Sequence, residues 1–196
     1  MAVGSVKGFK VVSPKGKALW CKFKEPERKF DPKGEVATDL VCDPSDPSVK
    51  AFITKLEDLR DKAFEEAKAT LKPAQSKTVT VAPVFKEELD EDGEPTGLIK
   101  FKFKTRGLDD REGFKINVVD ASTAIIKDAP LVGNGSVIRV SGYANPYHMP
   151  STNVVGVSLG FSGLQIIDLV PYGGSDFDVE EDGYTSTATT EDSEDF

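Results

Sequence analysis

The ten residues GLIKFKFKTR, Gly97 to Arg106, alternate without a break. Ile99, Phe101 and Phe103 fall on one side of an extended chain, and Lys100, Lys102, Lys104 and Arg106 fall on the other. A period of two is the mark of a β-strand with one face in a core and one in water. Shorter runs repeat the scheme. In KALWCKFKE, Leu19, Cys21 and Phe23 point one way and Trp20, Lys22 and Lys24 the other. In GFKINVVD, Phe114, Ile116 and Val118 are inward, with Lys115 and Asn117 outward. In SVIRVSGY, Ile138 and Val140 face away from Arg139, Ser141 and Tyr143. The apolar, glycine-interrupted stretch from Asn153 to Val170 predicts one bent closing strand, or two joined by a short turn.

One segment breaks this rhythm. From Pro47 to about Leu71, Phe52, Leu56, Leu59, Ala63, Phe64 and Ala67 recur at three- and four-residue steps, the stripe of a helix packed on a core. Ser45 or Asp46 can cap it, Pro47 suits its first turn and Pro73 ends it. Short strands, Gly-rich turns and a single helix predict a mainly β fold, a small curved antiparallel barrel.

Charge divides the chain. It carries 33 acidic and 25 basic residues, a net of -8. From Ser175 onward there are nine acids and no Lys or Arg, so the preceding residues hold 24 acids against all 25 bases. The last twenty or so residues are Ser, Thr, Asp and Glu, a composition that cannot form a core. The domain reading is therefore a barrel over 1–172 and a flexible acidic tail over 173–196. MAVGSVKGFKVVS lacks the apolar run of a secretory signal, and no stretch approaches the length of a membrane span. Cys21 and Cys42 are expected as buried free thiols in a reducing cytosol.

Signals for catalysis are weak. GNGS, Gly133 to Ser136, lacks the Gly-Lys-Ser/Thr of a phosphate loop. DEDGEP is better read as a hairpin turn at Asp92-Gly93 than as a calcium loop. His148, the single histidine, sits near no Ser or Cys elbow and reads as a structural surface residue. No enzyme activity, cofactor or metal is expected.

Binding is another matter. Four like charges at alternate positions on one strand repel one another, and an anion relieves them. A solvated sheet face guarded by lysines would look the same on this strand alone. Trp20, on the lysine-bearing side of its own strand, shifts the balance. Cations tracking phosphates beside rings that stack on bases suit single-stranded nucleic acid. Lys33 in FDPKGE, Arg139, Tyr143, and Tyr147 in NPYHMP join Trp20, Lys22, Lys24, Lys100, Lys102, Lys104 and Arg106 as candidates.

The order FKFK, INVVD, APLVGNGS, NPYHMP, then GG before an acidic tail ending in DF closely resembles the phage single-stranded-DNA-binding proteins of the T7 type, from about Phe30 onward. The resemblance implies an oligonucleotide/oligosaccharide-binding (OB) barrel, five-stranded and Greek-key, with an inserted helix. It implies a protein that coats single-stranded DNA in phage replication, recombination and repair, in the cytoplasm of the infected host. Lys33 stands at the family's DNA-contacting arginine, Lys102 and Lys104 at its paired lysines, and Tyr147 at its stacking tyrosine. Arg106 falls where the family can carry an aromatic, and Met149 replaces a tryptophan. Glu191, Asp192, Glu194, Asp195 and Phe196 would form a polyanion with an aromatic end, a crude copy of single-stranded DNA. Such a tail would shield the empty groove, in its own subunit or in a homodimer partner's. Displaced by DNA, it would recruit the phage DNA polymerase and helicase-primase. Two other readings stay open: an acidic-tailed interaction module that never coats DNA, and an RNA-binding cold-shock-like barrel.

Overall fold

The computed structural model describes residues 6–29 and 31–172; the acidic segment, with Glu191, Asp192, Glu194, Asp195 and Phe196, lies outside the described residues. In chain order the elements are β1 (Phe9–Val12), β2 (Gly16–Glu27), β3 (Glu35–Cys42), α1 (Pro47–Thr70), α2 (Pro73–Ser76), β4 (Thr80–Val81), β5 (Lys86–Leu89), β6 (Pro95–Arg106), β7 (Asn117–Val119), β8 (Val137–Met149), β9 (Val154–Leu159) and β10 (Gly163–Asp168). No helix among them is long and apolar enough to cross a membrane.

Five strands close a ring. β2 pairs with β3, β3 with β6, β6 with β9, β9 with β8, and β8 returns to β2. Taken in chain order, the ring runs first, second, third, fifth, fourth: the Greek-key OB barrel. Four of these contacts are antiparallel as expected; the fifth, β6 with β9, is parallel and consists of the bridge Phe103↔Leu159. The inward residues of β6 are the predicted ones. Phe101 and Phe103 are fully buried, with Leu40, Ile138, Val140, Phe161 and Leu164 around them.

So thin a closing contact needs help, and Thr105 supplies it. Its buried hydroxyl donates to the Phe161 carbonyl at 2.8 Å and accepts from the Phe161 N–H at 3.0 Å. Both backbone groups are thereby satisfied where no strand ladder reaches them. Residues 154–168 run as two strands, β9 and β10, along one edge of β8, with a bend at Gly160 to Ser162. At the bend the chains nearly touch, for a Cβ on Gly142 would lie 1.7 Å from the Gly160 carbonyl oxygen. Only glycine fits there.

Helix α1 seals the barrel between β3 and β6. The Asp46 carboxylate accepts from the Ser48 N–H at 2.7 Å and Pro47 opens the helix, as its sequence predicts. Val49, Phe52, Leu56 and Leu59 enter the main core, where the Phe52 ring meets Phe101 edge-on at 5.1 Å. Ala63 and Ala67 form a smaller cluster with Val79 and Val155, against which half-buried Phe64 packs.

One predicted face is wrong. Strand β2 buries Ala18 and Phe23, five positions apart, so simple alternation fails between them. The pairing with β3 slips by one residue between Leu19 and Lys22, and Trp20 takes φ +53°. Leu19 therefore sits opposite Ala18 and is not on the inner side with Cys21 and Phe23. Trp20 reaches water through the bulge. A non-glycine residue in this region costs about 1–3 kcal/mol and persists only where surroundings hold it. The holder is the GNGS turn: the Asn134 side-chain oxygen accepts from the Trp20 N–H at 2.8 Å. The same turn pairs with Ala18 through Ala18 N–H to Ser136 and Gly135 N–H to Ala18, at 2.8 and 2.9 Å.

Candidate nucleic-acid interface

The outer face of β2, β3 and β6 reads as rows of side chains. Lys22 and Lys104 flank Ala37; Leu19 and Lys102 flank Asp39; Lys17 and Lys100 flank Val41; Glu27 and Arg106 flank Glu35. Ala37 is small, so a low floor separates two lysines. A hollow of about 210 Å³ opens on this face, with Trp20, Lys22, Ala37 and Lys102 in its lining beside the carboxylates Glu27, Glu35 and Asp39. Across the β6–β9 seam, a second groove of about 480 Å³ gathers Lys104, Arg106, Arg111, Phe114, Tyr143 and Asn145, and among the described residues no carboxylate lines it. The two hollows are neighbours along β6, Lys102 lining one and Lys104 the other, and together they make a trough with cations and rings on its walls and acids on its β2–β3 side.

The predicted cations fall into two kinds. Among the described residues Lys100, Lys102, Lys104 and Arg139 form no ion pair. Burial, and then the neighbouring Arg106, hold the Lys104 ammonium below the usual lysine range. A phosphate arriving beside it would restore what burial has removed. The others are engaged: Lys22 with Glu27 at 2.7 Å, Lys24 with Asp128 at 3.1 Å, Lys33 with Asp110 at 2.7 Å, and Arg106 with Glu35. The charge ladder expected on β6 thus has three free members, with Arg106 neutralised by a cross-strand acid. Hydrogen bonds from these partners raise the pKa values of Lys22, Lys33 and Arg106. The Lys22, Lys24 and Lys33 pairs are exposed and weak, so a phosphate can exchange with the carboxylate, whereas Glu35 is buried and would be left unpaired if Arg106 turned away. Lys33, together with Arg28 on Asp109, ties the β2–β3 loop to the turn after β6.

The aromatic candidates are presented. Trp20 is 67% exposed and Tyr143 52% exposed. Tyr147 shares the outward side of β8 with Tyr143 but is half-buried. Its cross-strand partner is Gly156, and a Cβ there would meet the Tyr147 hydroxyl at 2.5 Å. The ring lies flat over the bare glycine, so pairing within the sheet, rather than its flanking prolines, sets its pose. His148 contacts the Asn153 side chain at 3.0 Å and holds the β8–β9 turn, the structural role expected of it.

Two predicted residues stand apart. Lys24 lines a groove of about 540 Å³ with Trp20, Phe23, Leu131 and Tyr172, on the other flank of β2. Arg139 lines a separate groove beside β10. Other residues of the interface were missed. Lys86 on β5 faces Lys100 in register, and Arg111 and Asn145 line the Tyr143 groove. None sits in an alternating cationic run, so only the three-dimensional pairing reveals them. Both thiols are free, and burial pushes Cys21 up to about 11 and Cys42 up to about 12, which makes them inert.

This geometry has relatives. The single-stranded DNA-binding protein of Enterobacteria phage T3 is 25% identical over 177 residues, 82% of this chain and 76% of that one. The protein of the same name from Escherichia phage T7 is 24% identical over 178 residues, 83% of this chain and 76% of that one. The crystal structure of gp2.5, the single-stranded DNA-binding protein encoded by bacteriophage T7, superposes with a TM-score of 0.62 at 21% identity, covering 92% of this chain and 100% of that one. The bacteriophage Enc34 single-stranded DNA-binding protein in complex with ssDNA gives 0.50 at 12% identity, covering 86% and 91%. Both likenesses are of fold. The family model described as single-stranded DNA-binding protein, bacteriophage T7, matches residues 16–169, from the start of β2 to just past β10. The chain belongs to the T7 single-stranded DNA-binding protein family.

Proposed function

We propose that this chain binds single-stranded DNA without sequence preference and does no chemistry on it. One observation carries the reading: Lys100, Lys102 and Lys104 share an outer face and form no ion pair among the described residues, Lys102 lining a hollow with the exposed ring of Trp20 and Lys104 a groove with that of Tyr143. Phosphates satisfy the lysines and bases stack on the rings, a combination indifferent to sequence because every base has a π-face. Lys22, Lys24, Lys33, Arg106 and Arg139 add secondary contacts, and Tyr147 a third stacking surface. Membership of the T7 family supports the same conclusion.

The wider role follows from the tail. The acidic residues that close the sequence, with Phe196, compete for the trough when DNA is absent, at an effective concentration that tethering can raise to about millimolar. Exchange of tails between two subunits accounts for a homodimer. When DNA displaces it, the tail recruits the DNA polymerase and helicase-primase, and the protein acts in replication, recombination and repair in the cytoplasm of the infected bacterium. Gel-shift titration with labelled oligo-dT, on the whole chain and on residues 1–172, tests both parts. The expected result is binding by both, tighter for the shortened chain at low salt. No shift by either refutes DNA binding, and weaker binding after truncation refutes self-competition. Competition with rU separates an RNA-binding barrel.

A further inference from the structure

A second concave surface lies past the trough, where β8 pairs with β1 and β10 and β10 in turn with β7. Lys10 of β1 stands opposite Tyr143, and Gln165 of β10 opposite Arg139. Lys10, Lys115 and Arg139 line a groove of about 400 Å³ here, and among the described residues no carboxylate lines it. None of the three forms an ion pair among the described residues. The Nε of Arg139 is buried without a hydrogen-bond partner, alone in this among the described residues. The nearby Asp120 is turned to its own loop, where its Oδ1 accepts from Ser122 N–H, Ser122 hydroxyl and Ala124 N–H at 2.7 to 2.9 Å. Three converging cations and an unsatisfied guanidinium donor want an anion with several oxygens, and a phosphate can take two guanidinium donors at once. Ser162 lines both this groove and the one that holds Tyr143 and Lys104, so the two surfaces are continuous.

We infer that this groove receives the phosphates of the same DNA strand after it passes Tyr143, so that the footprint extends beyond the barrel face around β8. This extension rests on the reading given under Proposed function. The test compares oligo-dT of about 6 and about 20 nucleotides, lengths that bracket the span of a single OB barrel. The unaltered full chain is set beside Lys10→Ala with Lys115→Ala, both exposed residues whose loss leaves the core intact. Lys55→Ala with Lys62→Ala, exposed on α1, controls for net charge. For the long strand the log–log salt slope should flatten by about 1.4, roughly 0.7 per lost phosphate contact. The short strand and the control should not change. Unchanged slopes at both lengths, or equal flattening at both lengths, overturn the extension while leaving DNA binding in place. Failure of the unaltered chain to bind either strand brings down the extension together with the reading beneath it.

Discussion

Replacing Lys102 and Lys104 by alanine removes two charges from the β6 side of the trough. Neither side chain forms an ion pair among the described residues, so none of their carboxylates is orphaned by the change. Lys104 is half-buried beside Arg106, and its loss also relieves a like-charge contact. The fold should therefore be unharmed and the effect confined to binding. Two lost phosphate contacts flatten the salt slope on single strands by about 1.4. Raising salt fourfold, from about 50 to about 200 mM, then shrinks the affinity gap between variant and parent about sevenfold, because 4 raised to 1.4 is about 7. Fluorescence anisotropy of labelled oligo-dT and oligo-dA across that range measures it. Both sequences should respond alike. Lys22→Ala with Lys33→Ala is the contrast: those ammonium groups already hold Glu27 and Asp110, so part of the electrostatic gain is spent on exchange and the flattening is smaller. Parallel slopes for the Lys102/Lys104 variant and its parent would refute the assignment of this face.

Three other outcomes follow from the same geometry. Thr105→Val strips both hydrogen bonds from Phe161 at the barrel seam and should destabilise the protein by about 1–3 kcal/mol, read as a lower urea midpoint; an unchanged midpoint would show that the hydroxyl does not hold the seam. Tyr147→Ala should weaken DNA binding by about 1–3 kcal/mol while Tyr147→Phe keeps it, since the ring and not the hydroxyl stacks; equal losses in both would point to the hydroxyl instead. Because burial lowers the Lys104 pKa, its charge is lost as pH rises through a range below that of an ordinary lysine, and affinity should fall with it. Lys104→Arg, charged throughout, should move that alkaline decline to higher pH, and coincident pH profiles would count against a Lys104–phosphate contact.

Much of the site was legible because β6 is long and strictly alternating. Its register against β3 carries every predicted inward and outward residue to the expected side. The helix was equally plain, from the Asp46 cap to the buried stripe. Strand β2 was not, because a bulge flips parity and nothing local marks it. The hydrogen bond that holds it comes from Asn134, more than a hundred residues along the chain. Charge was read correctly and pairing was not. The acids that neutralise Arg106, Lys24 and Lys33 come from other elements, and so do Lys86 and Lys10, which extend the cationic surface. Side chains meeting across strands leave no periodic trace.

Trp20 is the single tryptophan, 67% exposed between the trough and the Lys24 groove, and so its emission reports on the outer surface of β2. Titrating the protein with oligo-dT while recording its intrinsic emission at 295 nm excitation (~295 nm suits indole over tyrosine) reads the surface directly. Stacking beside the lysine rows predicts strong quenching that saturates with binding and reverses as salt releases the strand. Full binding by gel shift with Trp20 emission unaltered would mean that DNA lies elsewhere on the molecule.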